Sequence, residues 1–203
     1  MKQTVGNLLL ISSIFTTGTF ATEGADWYVG VDAVYSQGST DYDSTKVSDG
    51  TTFNDRWDVD STAFRLKVGM FLGDGGTRVQ AVYLQDISND ADVSYITDYE
   101  HTEFGLDLIQ EFRVTSKFSP FITVGLGLGD IDITGFSQGN TTSYDYYYAK
   151  AGLGLSYQFS EHFEVLGGVD YSHRFIKDTT TDGWNEELDE GAVQVYVGLN
   201  YLF

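Results

Sequence analysis

Apolar and polar side chains alternate with a period of two along eight stretches of the chain: 27–36, 62–72, 77–87, 103–114, 121–129, 146–158, 163–175 and 192–203. Successive side chains of an extended strand point to opposite faces, so each stretch predicts a β-strand with one greasy and one polar side. The last is the clearest: Val193, Val195, Val197, Leu199, Tyr201 and Phe203 share one face, and Gln194, Tyr196, Gly198 and Asn200 the other.

The connections sort by length. Gly73–Gly76, Thr115–Pro120 and Phe159–His162 read as tight turns, with Pro120 where a strand can begin without losing a ladder bond. Gln37–Ser61, Ser88–Thr102, Asp130–Asp145 and Ile176–Gly191 are longer and rich in Asp, Ser, Thr, Gly and Asn. Strict alternation of short and long connections predicts an all-β, eight-stranded, antiparallel up-and-down transmembrane barrel, with short periplasmic turns and long acidic extracellular loops. A soluble sandwich has no reason to sort its loops this way.

Placing the strands in register gives one face without charge, including Val31, Leu66, Leu106, Leu126, Leu153 and Val195. The opposite face carries Asp32, Arg65, Lys67, Arg78, Asp86, Glu103, Asp107, Glu111, Arg113, Lys150, Glu164, Asp170 and Arg174. A basic residue facing lipid near the midplane costs about 2–4 kcal/mol, so six of them on that side would be prohibitive. They are expected to point inward, where six basic and seven acidic groups nearly cancel. A lipocalin-like soluble barrel would reverse the faces; strand length and the apolar leader described below favour lipid. Eight strands enclose a lumen just wide enough for side chains. Gly125, Gly127, Gly129, Gly152, Gly154 and Gly198 fall on the inward face and are expected to make room for long neighbours. Trp27, Phe163 and Phe203 fall near the periplasmic ends, and Tyr35, Tyr147 and Tyr171 near the outer ends, as interfacial girdles.

Composition narrows the picture. The 203 residues hold no cysteine, which removes disulfides and thiol chemistry. A net charge of −19 disfavours nucleic acid, which needs a basic face. Nineteen of the 30 acidic residues lie in the four long connections, against Lys46, Arg56 and Lys177. Those connections read as solvated acidic loops or, as the functional alternative, as an outer surface that binds divalent cations loosely or meets a basic surface ligand. Residues 1–21 read as a signal peptide, with Lys2, an apolar run from Leu8 to Phe15 and a small-x-small exit at Thr19–Ala21; residues 22–203 form the barrel domain.

A chain ending its last strand on an aromatic residue resembles the small outer-membrane β-barrel proteins of Gram-negative bacteria, of the OmpA membrane-domain, OmpX and OmpW type. The resemblance implies residence in the outer membrane among lipid and lipopolysaccharide, and reading of Tyr201 and Phe203 by the assembly machinery. It also implies a structural or surface-interaction role such as adhesion or resistance. The alternative is a narrow passage for small solutes; a lipid-modifying enzyme comes third.

Two chemical patterns stand apart. Asp178, Asp182, Glu186 and Asp189 occupy positions 1, 5, 9 and 12 of a stretch with Gly183 at position 6, partly like an EF-hand calcium loop. Thr180 at position 3 and Asp189 in place of Glu depart from it, and no flanking helices are expected. Among the histidines, His173 follows Ser172, but adjacent strand residues face opposite ways and cannot form a nucleophile–base pair. His101 and Glu103 share a face near the outer rim, read as a solvated pair; Ser88 and Ser94 are nucleophiles only by default. No catalytic constellation emerges and no cofactor is expected.

Overall fold

The computed structural model describes residues 27–203 except 74–75, 92–95, 116, 136–140, 178 and 182–183. The proposed signal peptide lies outside the described residues. Among the described residues nine strands form: β1 (Trp27–Lys46), β2 (Thr52–Phe71), β3 (Thr77–Ala91), β4 (Ile96–Glu111), β5 (Phe118–Gly135), β6 (Thr141–Gln158), β7 (Phe163–Ile176), β8 (Thr179–Thr181) and β9 (Trp184–Leu202). Each of β1 to β6 pairs antiparallel with the next, β7 pairs with β9, and β9 pairs with β1. Eight strands thus close an up-and-down ring with no free edge around the membrane band, and β8 is a three-residue strand added beside the outer end of β9.

Alternation holds around the ring. Leu106, Leu126, Leu153 and Val197 are between 58 % and 68 % exposed on the outer wall, whereas Arg65, Asp107, Asp170 and Arg174 are at most 3 % exposed inside. Aromatic side chains gather at both margins of the apolar band. Phe163, Tyr201 and Phe203 pack ring to ring at the periplasmic end, with centroids 5.3 and 5.1 Å apart, and Phe64, Tyr83 and Phe104 do so at the outer end. Chain closure ends at the periplasmic rim, where the Phe203 amide donates to the Trp27 carbonyl at 2.9 Å.

The strands run further than alternation of apolar residues alone predicts. Most of 37–61, expected as a loop, is ladder: β1 and β2 stay paired out to Thr45 opposite Thr52. Above the lipid both faces of a strand meet water or a polar lumen, so the greasy-polar contrast fades while backbone pairing continues. The β1–β2 and β5–β6 connections are accordingly projecting hairpins, paired out to Thr45–Thr52 and Thr134–Thr141.

One bulge interrupts the wall. Thr62 faces Ser88 and Ala63 faces Asp86, which leaves Ile87 without an opposite residue on β2. Just there the β3–β4 ladder reaches its outermost pair, Gln85 opposite Thr102. The rung that would follow is made by a side chain instead: the Asp86 carboxylate accepts from the His101 backbone amide at 3.2 Å and meets its ring Nδ1 at 2.8 Å.

The sequence reading of Arg113 is corrected. β4 ends at Glu111, and the chain then turns through Phe112, whose amide donates to the Pro120 carbonyl, leaving Arg113 exposed on the periplasmic side. Its odd-numbered phase matches the lumen set, but the strand stops before that phase carries it inside. Water solvates the guanidinium there at no cost in buried charge.

Candidate functional site

The lumen is filled by three tiers of ionised side chains. At the periplasmic tier Arg78 from β3 meets Glu111 from β4 and donates to both Glu164 oxygens, at 2.7 Å (Nη1) and 2.6 Å (Nη2). Asn200 donates to Glu164 at 2.8 Å, and the Arg78 guanidinium lies over the rings of Phe71 and Tyr28. In the middle tier Asp32 meets Lys67 at 2.5 Å, with Arg65 3.4 Å from Asp170 and Lys150 3.0 Å from Asp107. Gln194 and Gln80 complete it, accepting from Arg65 and donating to Asp107 respectively.

The outer tier centres on Arg174, which donates to Glu103 and to Glu190. Tyr99 also donates to Glu190 at 2.5 Å and Tyr146 to Glu103 at 3.0 Å. His101 sits between two carboxylates, Asp86 at Nδ1 and Glu190 at Nε2, 3.4 Å away. Both partners are acceptors, so an imidazole protonated on both nitrogens fits the site. The pair expected to be solvated at the rim is therefore buried, with His101 only 2 % exposed.

Twelve of the thirteen charges expected in the lumen thus stand inside it, Arg113 being the exception. Pairing is what makes such burial tolerable, since an isolated charge there would be strongly destabilising.

Beyond the outer tier the lumen turns apolar. Trp57, Val59, Tyr99, Ile131, Tyr146, Tyr148, Ile176 and Leu188 pack into one buried cluster, capped by Tyr42, Ile133 and Tyr144. The mouth is spanned by a clamp in which Tyr42 of β1 and Tyr144 of β6 donate to the two oxygens of Glu186 on β9, at 3.1 and 3.0 Å. Burial first, and the adjacent Glu186 charge as well, hold both phenols above their ordinary pKa, so they remain donors. Trp57, Val59 and Glu190 were missed by sequence reasoning because they fall in stretches taken as loops. Their signal was present: Trp57, Val59 and Ser61 continue the phase of Ala63 and Arg65 without a break.

Of the four residues of the calcium candidate, Glu186 and Asp189 are described. Glu186 and Asp189 lie in β9, three residues apart on opposite faces, with Glu186 turned into the mouth and Asp189 outward beside His173. A strand cannot wrap oxygens around an ion as a loop does. Asp178 and Asp182 lie outside the described residues. Among the described residues no group of three or more His, Asp or Glu is arranged to hold a metal ion.

Outside, acidic residues occupy the projecting strand ends. Asp41, Asp43, Asp58, Asp60, Glu187 and Asp189 face outward on β1, β2 and β9, with Arg56 3.6 Å from Asp41. A second group lies just beyond the apolar band, where Glu100 faces Asp132 and Asp130 faces Asp145 across β4, β5 and β6. Partial burial, then Asp132, Asp145 and Glu100, raise the Asp130 pKa.

The family model described as outer membrane protein beta-barrel domain matches residues 8–203. The chain belongs to that family. It is an outer-membrane protein of a Gram-negative bacterium, and the ring of strands with its apolar belt is the architecture that such a membrane holds. Among solved structures, neisserial surface protein A is similar at 17 % identity with a TM-score of 0.60, covering 89 % of this chain and 100 % of that one. The outer membrane protein AlkL gives 16 % identity and a TM-score of 0.56, covering 88 % and 90 % of the two chains. OprG from Pseudomonas aeruginosa gives 16 % identity and a TM-score of 0.52, covering 88 % and 96 %. At these identities the likeness is one of fold. No curated protein matches the chain by sequence.

Proposed function

We propose that this barrel is a non-enzymatic surface protein that works through its acidic outer face. The observation that carries the reading is the filled lumen: three ionic tiers and an apolar cluster occupy the axis from Arg78 to Glu186. With the axis occupied, what the molecule offers its surroundings is the lipid-facing wall and the projecting ends of β1, β2 and β9. Their outward carboxylates attract cations, so the partners that suit them are divalent cations shared with lipopolysaccharide phosphates, or a basic surface ligand. Tyr201 and Phe203, outward on the closing strand, serve as the signal read by the assembly machinery. The test replaces Asp41, Asp43, Asp58, Asp60, Glu187 and Asp189 by Asn or Gln on intact cells. Binding of a cationic peptide probe is expected to fall with unchanged amounts of folded barrel; unchanged binding would contradict the reading.

One observation favours a second reading, passage of small solutes through the side of the barrel. The β3–β4 ladder stops at Gln85 and Thr102 beside the Ile87 bulge, and the apolar cluster containing Trp57 and Tyr99 is continuous with the lumen behind it. Asp86→Ala would remove the side-chain rung there; faster uptake of a small apolar solute by liposomes carrying that variant would support passage.

A further inference from the structure

The lumen packing leaves a cavity of about 20 Å³, bordered by Asp32, Arg65, Lys67, Arg78, Asp107 and Asp170, with Asn200 also on its wall. Five polar atoms on those residues have no hydrogen-bond partner: Asp32 Oδ2, Asp107 Oδ1, Asp170 Oδ1, Asn200 Oδ1 and Arg78 Nε. The five residues that carry them are each at most 4 % exposed. Buried polar groups are nearly always satisfied by protein or ordered water, so five such atoms on residues that line one cavity call for an occupant.

Their chemistry defines it. Four are acceptors and one is a donor, so the occupant must both donate and accept. Its size is set by the cavity, which exceeds the roughly 10–15 Å³ needed for a single water and excludes a hydrated ion or an organic ligand. A bare metal ion fits poorly: among the described residues no group of three or more His, Asp or Glu is arranged to hold one, and the Arg78 cation stands on the same wall. Not all the acceptors are equally free. Asp107 Oδ1, Asp170 Oδ1 and Asn200 Oδ1 each lie against the backbone of a glycine on the neighbouring strand, Gly125, Gly152 and Gly30, whereas Asp32 turns its other oxygen, Oδ1, to Gly198. Asp32 Oδ2 keeps an acceptor site free, with Arg65 Nη1 3.7 Å away, beyond hydrogen-bonding distance.

We propose that this cavity is a water-binding site, holding one ordered molecule that accepts from Arg78 Nε and donates to Asp32 Oδ2 and to a second acceptor of the set. The water lies between the Arg174 tier on the outer side and the Arg78 pairs with Glu111 and Glu164 on the periplasmic side. It links the middle and periplasmic tiers into one network, independently of what the outer surface binds.

The test uses the full barrel refolded in lipid nanodiscs. Magnetic relaxation dispersion of water counts internal molecules that stay longer than the particle takes to tumble, and Leu166→Phe places a larger apolar group on the cavity wall. The wild-type barrel is expected to show one more long-lived water than this variant. A crystal structure that resolves solvent should place a single peak at hydrogen-bonding distance from Asp32 Oδ2. Because the crystal measurement needs only the wild type, it stands even if the variant does not refold. An empty cavity in the density, an equal water count in a folded variant, or a peak with the short multiple oxygen contacts of a sodium ion would each overturn the proposal.

Discussion

Asp32 on β1 lies across Gly198, its direct cross-strand partner on β9, so closely that a β-carbon at Gly198 would collide with the Asp32 carboxylate. The arrangement recurs around the lumen. Asp107 covers Gly125, Asp170 covers Gly152, Tyr148 covers Gly127, Tyr146 covers Gly129 and Phe121 covers Gly154, each pair directly opposed in the ladder. A narrow barrel fills its interior by pairing one large inward side chain with one missing side chain on the adjacent strand. Gly198→Ala should therefore displace Asp32 from Lys67 and lower stability by about 2–4 kcal/mol, combining overpacking with a weakened buried pair. Urea unfolding in lipid vesicles measures this; a loss under about 0.5 kcal/mol would show that Asp32 has room to move.

Arg174 neutralises Glu103 and Glu190 together, with all three at most 4 % exposed. Arg174→Met leaves the buried Glu103 without its cation and Glu190 with His101 alone, and should destabilise by about 3–5 kcal/mol. Adding Glu103→Gln and Glu190→Gln to that variant should recover most of the loss, since the uncompensated charges are then gone. The same unfolding assay reads both steps, and a triple variant no better than Arg174→Met would count against the charge argument.

Arg113 and Arg78 make a matched contrast. Arg113→Ser on the exposed periplasmic turn should change stability by no more than about 0.5 kcal/mol. Arg78→Ser should cost several times more, because Glu111 and Glu164 lose their shared cation. Equal effects would place Arg113 back inside the barrel.

Asp130 carries a pH-dependent penalty. Its raised pKa means that its folded form is favoured when protonated; that stability is present below the unfolded value and is lost as pH rises through the folded one. Asp130→Asn removes the loss, so at neutral pH the variant should be more stable by a few tenths of a kcal/mol after allowing for solvent screening. The gain should vanish in acid, below the ordinary Asp pKa of 3.8. Unfolding curves at neutral and acid pH test it, and a gain independent of pH would point to a cause other than charge.

Much of this architecture was legible in the chain. Alternation from Val193 to Phe203 assigned lipid and lumen faces, and the inward phase of Arg65, Lys67, Glu103 and Arg174 followed from the cost of charge in hydrocarbon. What alternation could not reveal was where strands stop. Asp41, Asp58 and Glu187 lie on strands whose outer faces meet water, so no greasy periodicity marks them, and Trp57 and Val59 looked like stray apolar residues in a loop. Arg113 failed in the opposite way: its phase continued past Glu111 although the backbone had already turned. His101 was visible as a partner of Glu103, but its contacts with Asp86 and Glu190 depend on the bulge at Ile87 and on ring closure, neither of which a linear pattern contains.

Conductance of the purified barrel in planar lipid bilayers bears most directly on the filled lumen. With the tiers of Arg78, Asp32 and Arg174 interlocked and the Tyr42–Glu186–Tyr144 clamp across the mouth, the account predicts a baseline without single-channel steps at neutral pH. Steady, unitary current steps from the wild-type protein would contradict it.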